Sequence, residues 1–201
     1  MIFNINDVFW TVQGEGQNMG RRALFVRLPF CNLECSWCDT TFNSFEKWDE
    51  GKFLDFALQE KARFAVITGG EPMLNKHAKP IVELLLDRGF NVACESNGTA
   101  PVNAPYDFIT VSPKRFSNAI GREPYYVNEE TFKQVHEFRY VVDDQFDFSI
   151  LNRHDTTDGR RYSLSPEFNQ FDKNVVKILD YVKENPRWRI SLQTHKWLKI
   201  P

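Results

Sequence analysis

The sequence predicts an α/β domain built on a mainly parallel sheet that stops short of a closed eightfold barrel. Three observations predict it. Short apolar runs recur along the 201 residues and read as strands buried on both faces. Segments with helical periodicity fall between them, so strand–helix units and parallel pairing follow. Only three such helices are convincing, against six or seven strands, which is too few for eight repeats.

The first predicted strand, 23–28 (ALFVRL), ends at Pro29. The next, 64–68 (FAVIT), is β-rich and ends at Gly69-Gly70. Segments 91–95, 108–111, 138–142, 161–164 and 188–192 follow. The first helix is expected over 49–62, with Phe53, Phe56, Ala57 and Glu60 at helical spacing. The second covers 76–88, where Ile81, Leu84, Leu85 and Arg88 form a face and Gly89 provides the stop. The third covers 172–184. Its Val175, Ile178, Leu179 and Val182 fall at i, i+3, i+4, i+7, and Pro186 closes it. Stretches 115–130 and 143–159 are polar and irregular and read as loops. The length suits a single domain over 1–201, and no repeat or low-complexity tract interrupts it.

Composition narrows the function. Lys and Arg number 25 against 27 Asp and Glu, a net charge of −2, which lacks the basic footprint of a nucleic-acid binder. A 42% hydrophobic share with 18 Phe suits a packed core. No apolar run approaches the ~20 residues of a membrane span. The start, MIFNINDVFW, lacks the features of an export signal. A soluble cytoplasmic protein is expected, with neither nucleic acid nor membrane as partner.

The four cysteines are more specific. Cys31, Cys35 and Cys38 crowd into one loop just after a strand, as C-x3-C-x2-C, while Cys94 is remote. That pattern points to metal or cluster ligands rather than a disulfide scaffold. Three thiolates can hold three irons of a [4Fe–4S] cluster and leave the fourth open. An open iron takes a chelator with an amine and a carboxylate, and S-adenosylmethionine (SAM) offers both. The alternative is a zinc site of three Cys and one His in a non-catalytic adaptor, although no His lies near the loop.

The C-x3-C-x2-C spacing with Trp37 before the last cysteine is the radical SAM signature. Thr11-Val-Gln-Gly-Glu-Gly16, Cys38-Asp-Thr40, Thr68-Gly-Gly-Glu-Pro72, Glu95-Ser-Asn-Gly-Thr99, Ser112-Pro-Lys114 and the ending Gln193-Thr-His-Lys-Trp-Leu-Lys-Ile-Pro201 accompany it. With these segments the chain resembles, nearly end to end, the 7-carboxy-7-deazaguanine synthase family. The resemblance implies a reduced partial (β/α) barrel of the radical SAM type, with about six parallel strands and three helices. It implies conversion of 6-carboxy-5,6,7,8-tetrahydropterin to 7-carboxy-7-deazaguanine with loss of ammonia, on the way to queuosine in tRNA. It further implies catalytic use of SAM, Mg2+, a one-electron donor such as flavodoxin or ferredoxin, and a homodimer. A glycyl-radical activase shares some of these segments, but not the ESNGT, SPK and QTHK set.

The resemblance also distributes roles. Cys31, Cys35 and Cys38 hold the cluster, and Thr40 gives its hydroxyl to Mg2+. No side chain is assigned the chemistry itself, which the cluster and SAM carry. Trp37, Cys38, Asp39, Gly70, Glu71, Glu95, Ser112, Pro113 and Lys114 surround SAM. Val12, Gln13, Gly14, Glu15, Arg27, Thr68, His195 and Pro201 surround the pterin. Several assignments have a reason in the residues themselves. Gln and Glu can read the donor and acceptor edge of a pterin. Arg27, ending an apolar strand, can clamp a carboxylate with its planar fork. The stiff apolar ending on Pro201 suggests a tied-down carboxylate that faces substrate. Glycines at 69 and 70 let a ligand approach backbone closely. Cys94, next to Glu95 on a strand, faces the other way and reads as a buried hydrophobe. His136 and His154, in polar context, read as surface residues.

Overall fold

The computed structural model describes residues 1–38, 40–156 and 158–201. The chain opens with β1 (Ile2–Ile5) and β2 (Asp7–Val12), then β3 (Arg22–Leu28) and β4 (Glu46–Asp49). β1 pairs antiparallel with β4 in a two-stranded ribbon, and β2 pairs antiparallel with β3. α1 (Glu50–Ala57), β5 (Phe64–Gly69), α2 (Ala78–Leu86), β6 (Asn91–Ser96) and β7 (Phe108–Val111) follow, then α3 (Glu129–Gln134) and β8 (Glu137–Val142). The chain ends with β9 (Arg161–Pro166), α4 (Phe171–Glu184), β10 (Trp188–Ile190) and α5 (Thr194–Leu198).

Among the described residues eight strands make the main sheet, in the order β10-β9-β8-β7-β6-β5-β3-β2. All its pairings except β2–β3 are parallel. β2 and β10 stand at opposite ends of this order, so the barrel is partial. One core lies under β1, α1 and α2, around Phe3, Ile5, Phe53, Ile81 and Leu85. A second lies toward α4, around Phe138, Tyr140, Tyr162, Ile178 and Trp188.

Every predicted strand is found in the main sheet, with ends shifted by one or two residues. The helices needed correction. α1 stops at Ala57 rather than 62. The Leu58 N–H bonds the carbonyls of both Leu54 and Phe56 in a tightened last turn. Glu60, expected on the helix face, instead accepts a 2.8 Å bond from Arg22 Nε on β3. α2 begins at Ala78 because the Asn75 side chain takes the His77 N–H in a turn. It ends at Leu86, so Arg88 lies beyond it. Gly89 is left-handed at φ 77°, and the Phe90 N–H returns to the Leu85 carbonyl, the expected stop. α4 buries Ile178 and Asn174 but leaves Leu179 exposed. β1, β2, β4, α3 and α5 were not predicted. The two loop stretches contain 3-10 turns at Arg115–Ile120 and Phe148–Arg153, and they bury Tyr125, Phe146 and Leu151 in the second core.

Candidate active site

The three clustered cysteines follow the C-terminal end of β3, where the ligand-binding loops of βα folds gather. Backbone from the next strand clasps the root of this loop. The Gly70 N–H bonds the Leu28 carbonyl and the Glu71 N–H bonds the Phe30 carbonyl, each at 2.8 Å. A side chain on Gly69 would run into Leu28 backbone, and one on Gly70 into the Phe30 carbonyl. The approach that demands these glycines is therefore made by the cysteine loop itself.

Glu71, expected beside the cofactor, is fully buried. Its carboxylate accepts from the Met73 N–H, the Ser96 hydroxyl and the Asn97 N–H at 2.9, 2.7 and 2.7 Å. Burial raises its pKa against these donors. It thereby fixes the turn after β6. Asn97 reaches on to Asn32 at 3.0 Å and to Cys31 Sγ at 3.9 Å. The ESNGT segment is thus a brace for the cysteine loop, which the sequence did not disclose.

Cys31, Cys35 and Cys38 line one open cavity of about 870 Å3. All are free thiols. Burial raises the pKa of Cys31 and pushes Cys35 up to about 11, with the Lys114 charge opposing. Among the described residues no three His, Cys, Asp or Glu converge on one point as ligands of a single ion. The thiols instead stand round a volume, with the Leu33 N–H donating to Cys31 Sγ at 3.4 Å. Three thiols round one volume suit a cluster that takes one thiolate per iron.

Trp37, Gly70, Ser112 and Lys114 line the same cavity. The Trp37 ring lies 5.0 Å from Lys114 Nζ and donates its N–H to Asp143 at 3.2 Å. Lys114 also bonds the Ser112 hydroxyl, and burial lowers its pKa while Cys35 opposes. Pro113 is buried in the turn between Ser112 and Lys114, and its side chain lines neither cavity described here. Asp39 lies outside the described residues.

A second cavity, about 580 Å3, adjoins the first and shares Glu15, Thr68, Glu95 and Gln193 with it. Val12, Gln13 and Gly14 wall it from the end of β2, Arg27 from β3 and Thr40 from beyond the cysteines. His195 and Pro201 close the far side. Arg27 is half-buried, with its guanidinium 4.9 Å from the Phe9 ring. Asp7, at 3.9 Å, is too far for a forked bond. A side chain on Gly14 would meet the His195 ring. Gly14 also accepts from the Thr194 N–H and hydroxyl at 3.1 and 2.8 Å. The Thr11 hydroxyl bonds the Pro201 oxygen at 2.8 Å.

No protein-family model matches the chain. A 7-carboxy-7-deazaguanine synthase of Burkholderia multivorans is 33% identical over 226 residues, with all of both chains covered. One of Aquifex aeolicus is 34% identical over 207 residues, covering 96% of this chain and 91% of that one. This chain belongs to the 7-carboxy-7-deazaguanine synthase family. The crystal structure of QueE from Escherichia coli agrees, with a TM-score of 0.80 at 26% identity and 96% and 94% of the two chains covered. Membership in the 7-carboxy-7-deazaguanine synthase family sets aside the zinc adaptor and the glycyl-radical activase, and carries with it the [4Fe–4S] cluster and SAM of radical SAM enzymes.

Sequence reasoning missed two residues that line these cavities. Arg139, on β8, lines the larger cavity between Glu15 and Glu95. Gln193 lines both cavities and donates to Glu15 at 3.0 Å. Burial tends to raise the pKa of Glu95, but the Arg139 charge and its hydrogen bond outweigh that and lower it. His154 is not a surface residue. It is 8% exposed, bonds the Tyr140 hydroxyl and stacks on Phe138 at 5.2 Å. Burial drives its pKa down to about 4. His136 is exposed, and Cys94 is buried as expected.

Proposed function

We propose that the chain converts 6-carboxy-5,6,7,8-tetrahydropterin to 7-carboxy-7-deazaguanine and ammonia, a radical SAM reaction on the way to queuosine. The observation that carries this reading is the pair of adjoining cavities, one walled by three cysteines and the other by Gln13, Arg27 and His195, with Glu15, Thr68, Glu95 and Gln193 in common. Substrate and product differ by one ammonia, so the reaction needs no net oxidant and SAM can be reused.

Cys31, Cys35 and Cys38 hold the [4Fe–4S] cluster, and Trp37, Gly70, Ser112 and Lys114 receive SAM beside it. When bound, these groups supply one-electron chemistry, and the chain's own residues bind, orient and shield. Arg27 offers its planar fork to the substrate carboxylate. The Gln13 amide is oriented, because its Nε2 donates to Glu95 at 3.0 Å and its Oε1 accepts from the Glu15 N–H at 3.2 Å. With Glu15 and His195 it reads the pterin edge. Thr40 offers an oxygen ligand to Mg2+, a hard cation that takes its remaining ligands from substrate and water.

The continuous sheet from β2 to β10 supports a single domain. Four free thiols suit a reducing, cytoplasmic setting, and no helix among the described residues is long and apolar enough to cross a membrane. The electron donor is a small redox protein such as flavodoxin or ferredoxin. Exposed Val176 and Leu179 on α4 offer apolar surface to a homodimer. The test is anaerobic turnover of the cluster-loaded protein with 6-carboxytetrahydropterin, SAM and a reductant, read as product and ammonia. An iron- and sulfide-replete preparation that forms neither refutes the reading.

A further inference from the structure

Arg139 sits in mid β8, between Phe138 and Tyr140, whose rings are buried in the second core. Successive strand residues face opposite sides, so the guanidinium points the other way, into the barrel. It is 6% exposed. There it meets two carboxylates from distant parts of the chain. Its Nε lies 3.2 Å from Glu15 Oε2, and its Nη2 lies 2.8 Å from Glu95 Oε1. The same Glu95 oxygen accepts from Gln13 Nε2 at 3.0 Å. The other oxygen of Glu15 accepts from Gln193 Nε2 at 3.0 Å. One guanidinium therefore gathers four side chains, all of them walls of the smaller cavity, a wall to which Arg139 itself does not contribute.

Without that cation, Glu15 and Glu95 would face each other as like charges in a wall shielded from water, where their repulsion is little screened. Glu95 is fixed on β6. Glu15 lies on the loop between β2 and β3 with a glycine on either side, so the loop is the part that would move. Lys114, a nearby cation that lines the larger cavity, bonds Ser112 and stands over Trp37, so it does not replace the fork. Glu137, on the same face of β8, is occupied by the Ser163 hydroxyl and the Gln17 N–H.

We propose that Arg139 is a positioning residue for substrate binding, which draws Glu15 of the loop after β2 onto Glu95 of the sheet and so sets the direction in which Gln13 and both carboxylates meet the substrate. The inference deepens the substrate reading above and rests on it. Arg139 acts through Glu15 and Glu95 rather than by touching the pterin. The ligand chemistry it prepares for is a ring edge with adjacent N–H donors, since ionised carboxylates only accept. A lysine would keep the charge but lose the fork that spans the two carboxylates.

The test is steady-state kinetics of the reconstituted holoenzyme with 6-carboxytetrahydropterin, for wild type, Arg139→Lys, Arg139→Gln, Glu15→Gln and the Arg139→Gln/Glu15→Gln pair. Arg139→Gln is expected to raise KM about ten- to a hundredfold, the scale of a charged hydrogen bond, and to raise it by more than kcat falls. Arg139→Lys should recover part of the loss. In the paired variant the loss should be smaller than the product of the single losses, because removing the Glu15 charge relieves the repulsion. Should Arg139→Gln fail to fold, Arg139→Lys against Glu15→Gln carries the same comparison. Wild-type KM in both Arg139 variants, or losses that simply multiply, overturns the inference while leaving the substrate reading intact. Absence of wild-type turnover overturns both.

Discussion

Replacing Gly70 with alanine should cost the protein its cluster as well as stability. The added Cβ would fall well inside van der Waals contact of the Phe30 carbonyl and 2.9 Å from the Cys31 nitrogen. Both neighbours are backbone and cannot swing aside. They are also pinned, since the Glu71 N–H holds the Phe30 carbonyl at 2.8 Å and the Gly70 N–H holds that of Leu28 at 2.8 Å. Overpacking against rigid backbone costs about 3 kcal/mol, and loss of the Glu71–Phe30 bond adds about 1 kcal/mol. For a chain of this size the total of about 4 kcal/mol lowers Tm by roughly 8–16 °C. The shift falls on the residue before Cys31, so the spacing of the three thiols changes with it. Thermal unfolding should be followed alongside iron and sulfide content after anaerobic reconstitution. Gly89→Ala is the control. Gly89 has φ 77° and nothing within 4 Å, so alanine there pays only left-handed strain, about 1–2 kcal/mol, and should retain full iron. A Gly70→Ala protein with wild-type iron, sulfide and Tm would show that the loop relaxes freely and that the steric argument is wrong.

Cys35→Ala should abolish reconstituted iron–sulfur absorbance, because two thiolates remain on the loop, whereas Cys94→Ala should keep it; iron loss on the Cys94 change would point to a fourth protein ligand. Arg27→Lys should raise KM for the pterin about tenfold, the scale of a lost charge-assisted bond, and unchanged kinetics would place Arg27 outside the contact. His154 is held neutral by burial, with its pKa down at about 4. The unfolded chain, with an ordinary histidine near 6.5, therefore binds the proton first. The stability this group contributes is complete above about pH 6.5 and is lost as pH falls toward 4, at up to about 1.4 kcal/mol per pH unit. Denaturant unfolding across that window should show a shallower acid slope for His154→Phe than for wild type, and equal slopes would remove His154 from the account.

The parallel strands were legible because each is a compact apolar run whose burial on both faces needs no alternation to be recognised. β4 (EKWD) was not, since it is largely exposed and is held by its pairing with β1. The stripe on α4 marked the right helix, but periodicity does not give the width of the buried face, and Leu179 falls outside it. The cysteines were legible because their spacing itself carries ligand geometry. Arg139 was not. In FRYVV one arginine among apolar residues reads equally as a charge turned to solvent, and only the fold brings Glu15 and Glu95 to meet it. His154 failed for the same reason: the polar neighbourhood of Asn152, Arg153 and Asp155 in sequence says nothing of the aromatic rings that fold over it.

The open side of the partial barrel explains why so many site residues come from two short segments. β2 and β10 lie at opposite ends of the sheet, so backbone pairing in the main sheet does not join them. Side chains and loop backbone join them instead. The Gly16 N–H bonds the Ser191 hydroxyl at 2.9 Å, and Gly14 receives two bonds from Thr194. Gln193 bonds Glu15, and Thr11 bonds Pro201. The loop after β2 and the segment after β10 thus stitch the seam, and four of the stitching residues, Gly14, Glu15, Gln193 and Pro201, also wall the smaller cavity. A closed barrel would satisfy these groups with strand pairing and leave no room for them to face a ligand. Here the seam is both the last part of the sheet to be satisfied and the place where a substrate edge can be read. That dual demand accounts for the small residues and amides of QGEG and QTH, where an ordinary strand would carry apolar side chains.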